Sequence, residues 1–196
     1  MAEDSIASVI VILISVSLGF ILAEIHEWIK YRRERKKKET KIAKILFIDS
    51  KEILNTFDSY AHDCHRPEFN ENLEMVCIAR KAQSKIVLQI LDDLQKFSQE
   101  MILFEDSIAF AVFDLKWALN DFVRSAEEVL EFDKFWTDEI NNNPLEENSA
   151  EYIERETRWE FQYNVLHERF VQDYNFVKRM TSDLKTKLIE KYGLRD

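Results

Sequence analysis

The residues best suited to chemistry stand together: His62, Asp63, Cys64 and His65, with Cys77 following in the next stretch of chain. Imidazole, thiolate and carboxylate all ligate zinc, and a turn between two antiparallel helices could return Cys77 to the cluster. His62, Cys64, His65 and Cys77 are therefore the candidate metal ligands, with zinc as the candidate cofactor and a metal-binding sensor as the function this implies. Against it, the spacing fits no standard zinc finger, and Cys77 falls on the apolar side of its helix, where a free cysteine packs as a small hydrophobe. With only these two cysteines the chain has no disulfide framework and suits a reducing compartment.

Other reactive patterns are missing from the sequence. One glycine after the first apolar run cannot build a phosphate-cradling loop or a dinucleotide fingerprint. No Glu-x-x-His pair supports a di-iron site, and no serine stands in a nucleophile elbow. Adjacent acids such as Asp92 and Asp93, or Glu127 and Glu128, point about 100° apart on a helix, a poor geometry for shared acid and base work. The expectation is a protein that is not an enzyme. His167, beside Leu166, reads as a structural histidine at the edge of a core.

The elements that would position these residues begin with an apolar run over residues 5–23, roughly 28 Å long as a helix and close to the hydrocarbon thickness of a bilayer. It is followed by Lys30, Arg32, Arg33, Arg35, Lys36, Lys37, Lys38, Lys41 and Lys44, offset only by Glu34 and Glu39. A cleaved signal peptide carries its basic residues before the apolar core, whereas here Glu3 and Asp4 precede it. Basic residues flanking a span are kept on the cytoplasmic side, so the amino terminus is expected outside and the rest of the chain in the cytoplasm. Trp28 and Tyr31 would lie at the headgroup level, and the basic neck against anionic lipid.

Within the run, steps of three and four residues place Ser5, Ser8, Ile12, Ser15, Gly19, Leu22 and His26 on one face. Small residues on a common seam let helix backbones approach closely, which points to a homo-oligomer. The same seam could instead line the pore of an oligomeric ion channel, with His26 at its inner mouth as a pH-responsive ring.

The net charge is −10, and because the neck is strongly positive the body beyond it is more acidic than the whole. Nucleic acid is excluded as a partner, since affinity for phosphate backbones rests on clustered Lys and Arg. The prolines are Pro67 and Pro144, and the glycine after the apolar run is Gly193. That scarcity predicts long helices with few connections, loops at Pro67 and Pro144, and a helix C-cap at Gly193.

Between these stops the apolar spacing is helical. Ile42, Ile45, Leu46, Ile53, Leu54 and Phe57 form a first stripe, continuing a helix that no breaker interrupts from residue 5 to about 62. Val87, Ile90, Leu94, Phe97, Met101 and Phe104 form a second. A third runs Ile108, Val112, Leu115, Leu119, Phe122, Ala126, Val129, Trp136 and Ile140, broken at Asp133. A fourth runs Tyr152, Trp159, Tyr163, Leu166, Phe170, Val177, Met180, Leu184 and Leu188, broken at Glu156 and Asp173. Glu105-Asp106-Ser107 is the expected boundary between the second and third helices.

The expected fold is all-α: a transmembrane anchor (1–29) and a basic neck (30–44), continuous with an antiparallel bundle of about four long helices (45–196). Phe110, Phe113 and Trp117 form a second apolar strip beside the third stripe, which is expected to widen the core contact of that helix; left exposed, it is instead a candidate surface for a protein partner or another subunit.

Overall fold

The computed structural model describes the backbone of residues 2–64, 71–147 and 149–195, and the side chains of residues 16–59, 64, 72–147 and 149–195. The described elements are all helical: α1 (Ala2–Cys64), α2 (Glu71–Ala82), α3 (Lys85–Phe97), a 3-10 turn (Ser98–Leu103), α4 (Asp106–Asn142) and α5 (Ala150–Tyr192). The chain divides into two compact units, Met1–Ile42 and Ala43–Asp196.

In the first unit, α1 carries large apolar side chains that the protein leaves uncovered, among them Phe20, Leu22 and Trp28. Among the described residues no helix is long and apolar enough to cross a membrane. The expected span lies largely beyond that limit, because the side chains of residues 5–15, including Ser5, Ser8, Ile12 and Ser15, are outside the described residues.

The second unit is built from the stripes. Ile108, Val112, Leu115, Leu119, Phe122, Ala126, Val129 and Trp136 of α4 are buried, as are Tyr163, Phe170, Val177, Leu184 and Leu188 of α5. The two helices run antiparallel, since contacts ascend one while descending the other: Glu105 with Lys191, Phe122 with Phe170, Glu128 with Arg169, and Phe132 with Trp159. α1 joins them through Phe57, whose ring meets Phe122 and Tyr174 at 5.2 Å in each case. Phe122 also stacks on Phe170 at 5.4 Å, and the Tyr174 hydroxyl donates to the Phe57 carbonyl at 2.9 Å.

Helix ends follow local chemistry. Glu105 is the extended residue before α4, with Asp106 in the first turn where a negative charge favours the helix dipole. The Ser149 side chain accepts from the Tyr152 backbone N–H at 3.1 Å, capping α5. Gly193 ends α5 at φ 62°, a left-handed conformation that favours glycine. Pro144 lies in the loop after α4, while Pro67 is outside the described residues.

One boundary departs from expectation. Ser84 is extended, with φ −62° and ψ 151°, and separates α2 from α3, so the described residues hold five α-helices where about four are expected. The Ser84 N–H closes a turn onto the Lys81 carbonyl at 2.9 Å, and the break forms without glycine or proline.

Two of the breaks in the stripes, Asp173 and Asp133, are cross-helix polar contacts, while Glu156 is exposed. Asp173 accepts from the Ser125 hydroxyl, and Asp133 faces Arg80 of α2 at 3.9 Å. Because Phe122 is fully buried among three other rings, Phe122→Ala is expected to cost about 3–5 kcal/mol. Trp117→Ala, at a site 73% exposed, is expected to stay within about 0.5 kcal/mol. Urea unfolding of the solubilised full chain compares the two.

Candidate functional site

The expected metal cluster is rearranged at its sulfur atoms. Cys64 and Cys77 form a disulfide, with their Cα atoms 5.9 Å apart. This corrects the expectation that two cysteines give no disulfide: Cys64 closes α1, Cys77 lies midway along α2, and their separation falls within disulfide reach. While that bond is intact, neither sulfur is the thiolate that zinc requires. His65 and the side chain of His62 are outside the described residues, and among those described no three His, Cys, Asp or Glu could hold a metal ion.

Of the seam, Gly19, Leu22 and His26 are described and exposed. A Cβ added at Gly19 would meet nothing within 4 Å, so packing inside the chain does not require a glycine there. The neck residues Lys30, Arg32, Arg33, Arg35, Lys36, Lys37 and Lys38 all face outward. Arg32 sits over the Trp28 ring at 5.2 Å, a cation–π contact that orders the start of the neck.

On α4, Phe110, Phe113 and Trp117 are exposed, at 65%, 44% and 73%. They do not widen the core contact. Phe113 and Trp117 line a shallow cleft of about 270 Å³ together with Asp114, Lys116 and Asn120, giving an apolar strip with a mixed polar rim.

Two further clefts lie along α5. His167 stacks on Tyr163 with centroids 5.5 Å apart and borders a groove of about 210 Å³ with Phe170 and Tyr174 and with Met75 and Ile78 of α2. Burial pushes the Tyr174 phenol up from its ordinary pKa, which keeps it a hydrogen-bond donor. Near the α4–α5 loop, Trp136, Ile140, Tyr152 and Trp159 wall a cleft of about 260 Å³ with Arg155 and Glu156 beside them. Arg155 donates to the Asn143 carbonyl at 2.6 Å and Arg158 lies over the Trp136 ring at 5.2 Å. Both arginines thus serve the loop end of the bundle. No nucleophile with an adjacent base is found in these clefts.

Sequence reasoning missed Asp49 of α1. It is 8% exposed, and its Oδ2 atom has no hydrogen-bond partner in the chain. Burial, together with the charges of Asp93 and Glu52, raises its pKa to about 7. A signal was present, because Asp49 stands three residues after Leu46 and four before Ile53, at a core position of the first stripe.

In the unfolded chain the same carboxyl titrates near its ordinary value of about 3.9. Between the two values the folded chain holds the extra proton, so the stability this group contributes is full below about pH 4 and is lost as pH rises through about 7. Asp49→Asn is therefore expected to stabilise the chain near pH 8, by on the order of 2 kcal/mol, and to have little effect near pH 4. Thermal melts at the two pH values check this.

The chain matches no protein-family model, no curated protein and no solved structure.

Proposed function

We propose that the chain is a non-enzymatic, single-span membrane protein, anchored through residues 5–23, whose helical bundle mediates homo-oligomeric assembly and partner recognition. The observation that carries this reading is the uncovered apolar surface of α1. Apolar residues from Val16 to Ile29 stand exposed and lead directly into the cationic neck. A helix that is apolar around its circumference and uncovered by its own protein needs lipid or other helices as its surroundings. Gly19 supports assembly, since glycine inside a helix costs about 1 kcal/mol and nothing in the chain repays that at this site.

The neck supports an orientation with the bundle in the cytoplasm. The strip of Phe110, Phe113 and Trp117 supports partner recognition, as an exposed apolar patch bordered by polar residues. α1 is one helix from Ala2 to Cys64, and mechanical coupling along it is part of this proposal.

Orientation and the Cys64–Cys77 bond test each other. Disulfides persist in oxidising compartments and are rare in the cytoplasm. With the bundle in the cytoplasm, both cysteines are expected to be alkylated as free thiols in acid-quenched cells; a disulfide found there at full occupancy contradicts the orientation.

Assembly is tested by single-cysteine crosslinking in native membranes, on a background lacking Cys64 and Cys77. Cross-linked dimers are expected at Ser8 and Ser15 and not at Ser17, on the opposite face of the helix, while Gly19→Leu lowers their yield by about tenfold. Equal yields at every position contradict the seam.

A further inference from the structure

The Cys64–Cys77 bond joins two sulfurs in unlike surroundings. Cys64 is fully buried at the end of α1, whereas Cys77, midway along α2, is half-buried. The bond also joins two elements that the rest of the bundle holds unequally. α1 is fastened nearby through Phe57, whose ring meets Phe122 and Tyr174, and through Asp58, which pairs with Lys178 at 2.9 Å. α2 has 12 residues and buries Met75, Val76, Ala79 and Ala82, two of them alanines with little apolar surface to remove from water. Arg80, which faces Asp133 of α4 at 3.9 Å, is largely exposed and contributes little.

So short a helix is marginal by itself in water and takes its order from packing. Where packing is thin, a covalent link decides more. Cys64 and Cys77 are 13 residues apart, and in the chain-entropy description closing a loop of that length favours the docked arrangement by on the order of a hundredfold. α2 also supplies Met75 and Ile78 as one wall of the groove that His167, Phe170 and Tyr174 line from α5. The state of the bond therefore sets whether that wall stays in place.

We propose that Cys64 and Cys77 form a reversible thiol–disulfide switch that docks α2 when oxidised and releases it when reduced, with Cys77 as the sulfur that exchanges with small thiols. The inference rests on the proposed placement of the bundle in the cytoplasm, where disulfides are transient and redox-sensing. Reduction begins when the thiolate of a low-molecular-weight thiol such as glutathione attacks one sulfur and displaces the other. The approach is open at Cys77 and closed at Cys64. The new S–S bond thus forms on Cys77, and Cys64 leaves as a thiolate that takes up a proton. A second glutathione thiolate attacks the glutathione sulfur of this mixed disulfide, releasing Cys77 as the second thiol and glutathione disulfide as the product. Two glutathione thiols are oxidised as the protein disulfide becomes two thiols. Glutathione disulfide drives the same steps in reverse, with Cys64 resolving the mixed disulfide on Cys77.

The chemistry is tested on the full chain in phosphatidylcholine nanodiscs, its disulfide form exposed briefly to glutathione and quenched with excess N-ethylmaleimide. Peptide masses are expected to place glutathione on Cys77 and maleimide on Cys64, with the opposite arrangement at least about tenfold rarer. Hydrogen exchange on the same particles is expected to be at least about tenfold faster in α2 after full reduction, and to stay within about twofold around Phe122 of α4 and Phe170 of α5. Glutathione shared equally between the two sulfurs, or exchange in α2 unaltered by reduction, overturns the proposal. Exchange accelerated alike in every helix makes the bond a general staple and overturns it too. In acid-quenched cells both cysteines are expected as free thiols, converting to the disulfide on brief treatment with diamide, an oxidant of glutathione, and returning after its removal. Thiols that stay free throughout overturn the switch and leave the orientation standing. A disulfide at full occupancy before treatment overturns the orientation, and the switch with it.

Discussion

Phe57, Phe122, Phe170 and Tyr174 form one cluster to which α1, α4 and α5 each contribute, and the other contacts of the bundle are arranged around it. Each ring lies within about 6 Å of at least one neighbour, in edge and stacked arrangements that add about 0.5–1.5 kcal/mol per pair to the burial of the rings themselves. Tyr174 adds a directional element, because its hydroxyl is tied to the Phe57 carbonyl at 2.9 Å. A carbonyl inside α1 has its own helical partner, so this second bond fixes the rotation of α1 against α5 where packing alone leaves freedom. Lys178, one turn on, repeats the link by pairing with Asp58 at 2.9 Å.

With that register set, the polar residues inside the apolar stripes acquire roles. Asp173 meets Ser125, and Arg169 bridges to Glu128 at 2.7 Å, next to the ring cluster along the α4–α5 interface. Asp133 reaches Arg80 and helps align α2 on α4. These contacts contribute little net energy, since partly exposed ion pairs are worth about 0–1 kcal/mol. Their effect is on register: sliding one helix by a turn separates Ser125 from Asp173 and Arg169 from Glu128. Asp49 is the exception, buried at a core position without such a partner.

How much of this was legible in the sequence follows from the range of each interaction. The stripes of α1, α4 and α5 were legible, because a helical period survives over many turns and each residue reports on its own face. So were the loop at Pro144 and the cap at Gly193, where a single residue type determines backbone geometry. The break at Ser84 was not, because an extended serine between two helical stretches depends on the packing of both. The disulfide was not either, since it depends on the angle at which α1 meets α2. Phe110, Phe113 and Trp117 were seen as a strip, but sequence could not say whether a neighbouring helix covers them. Asp49 was hidden by the habit of reading a stripe only through its apolar members.

The proposed function turns on α1 as both anchor and assembly surface. The most direct measurement is the mass of the particle formed when the chain is reconstituted in lipid nanodiscs over a wide range of protein-to-lipid ratios. The account predicts stable incorporation and a protein mass that is a fixed multiple, greater than one, of the 23.4 kDa chain. A chain that stays out of the lipid, or that enters it as a single copy at every ratio, contradicts it.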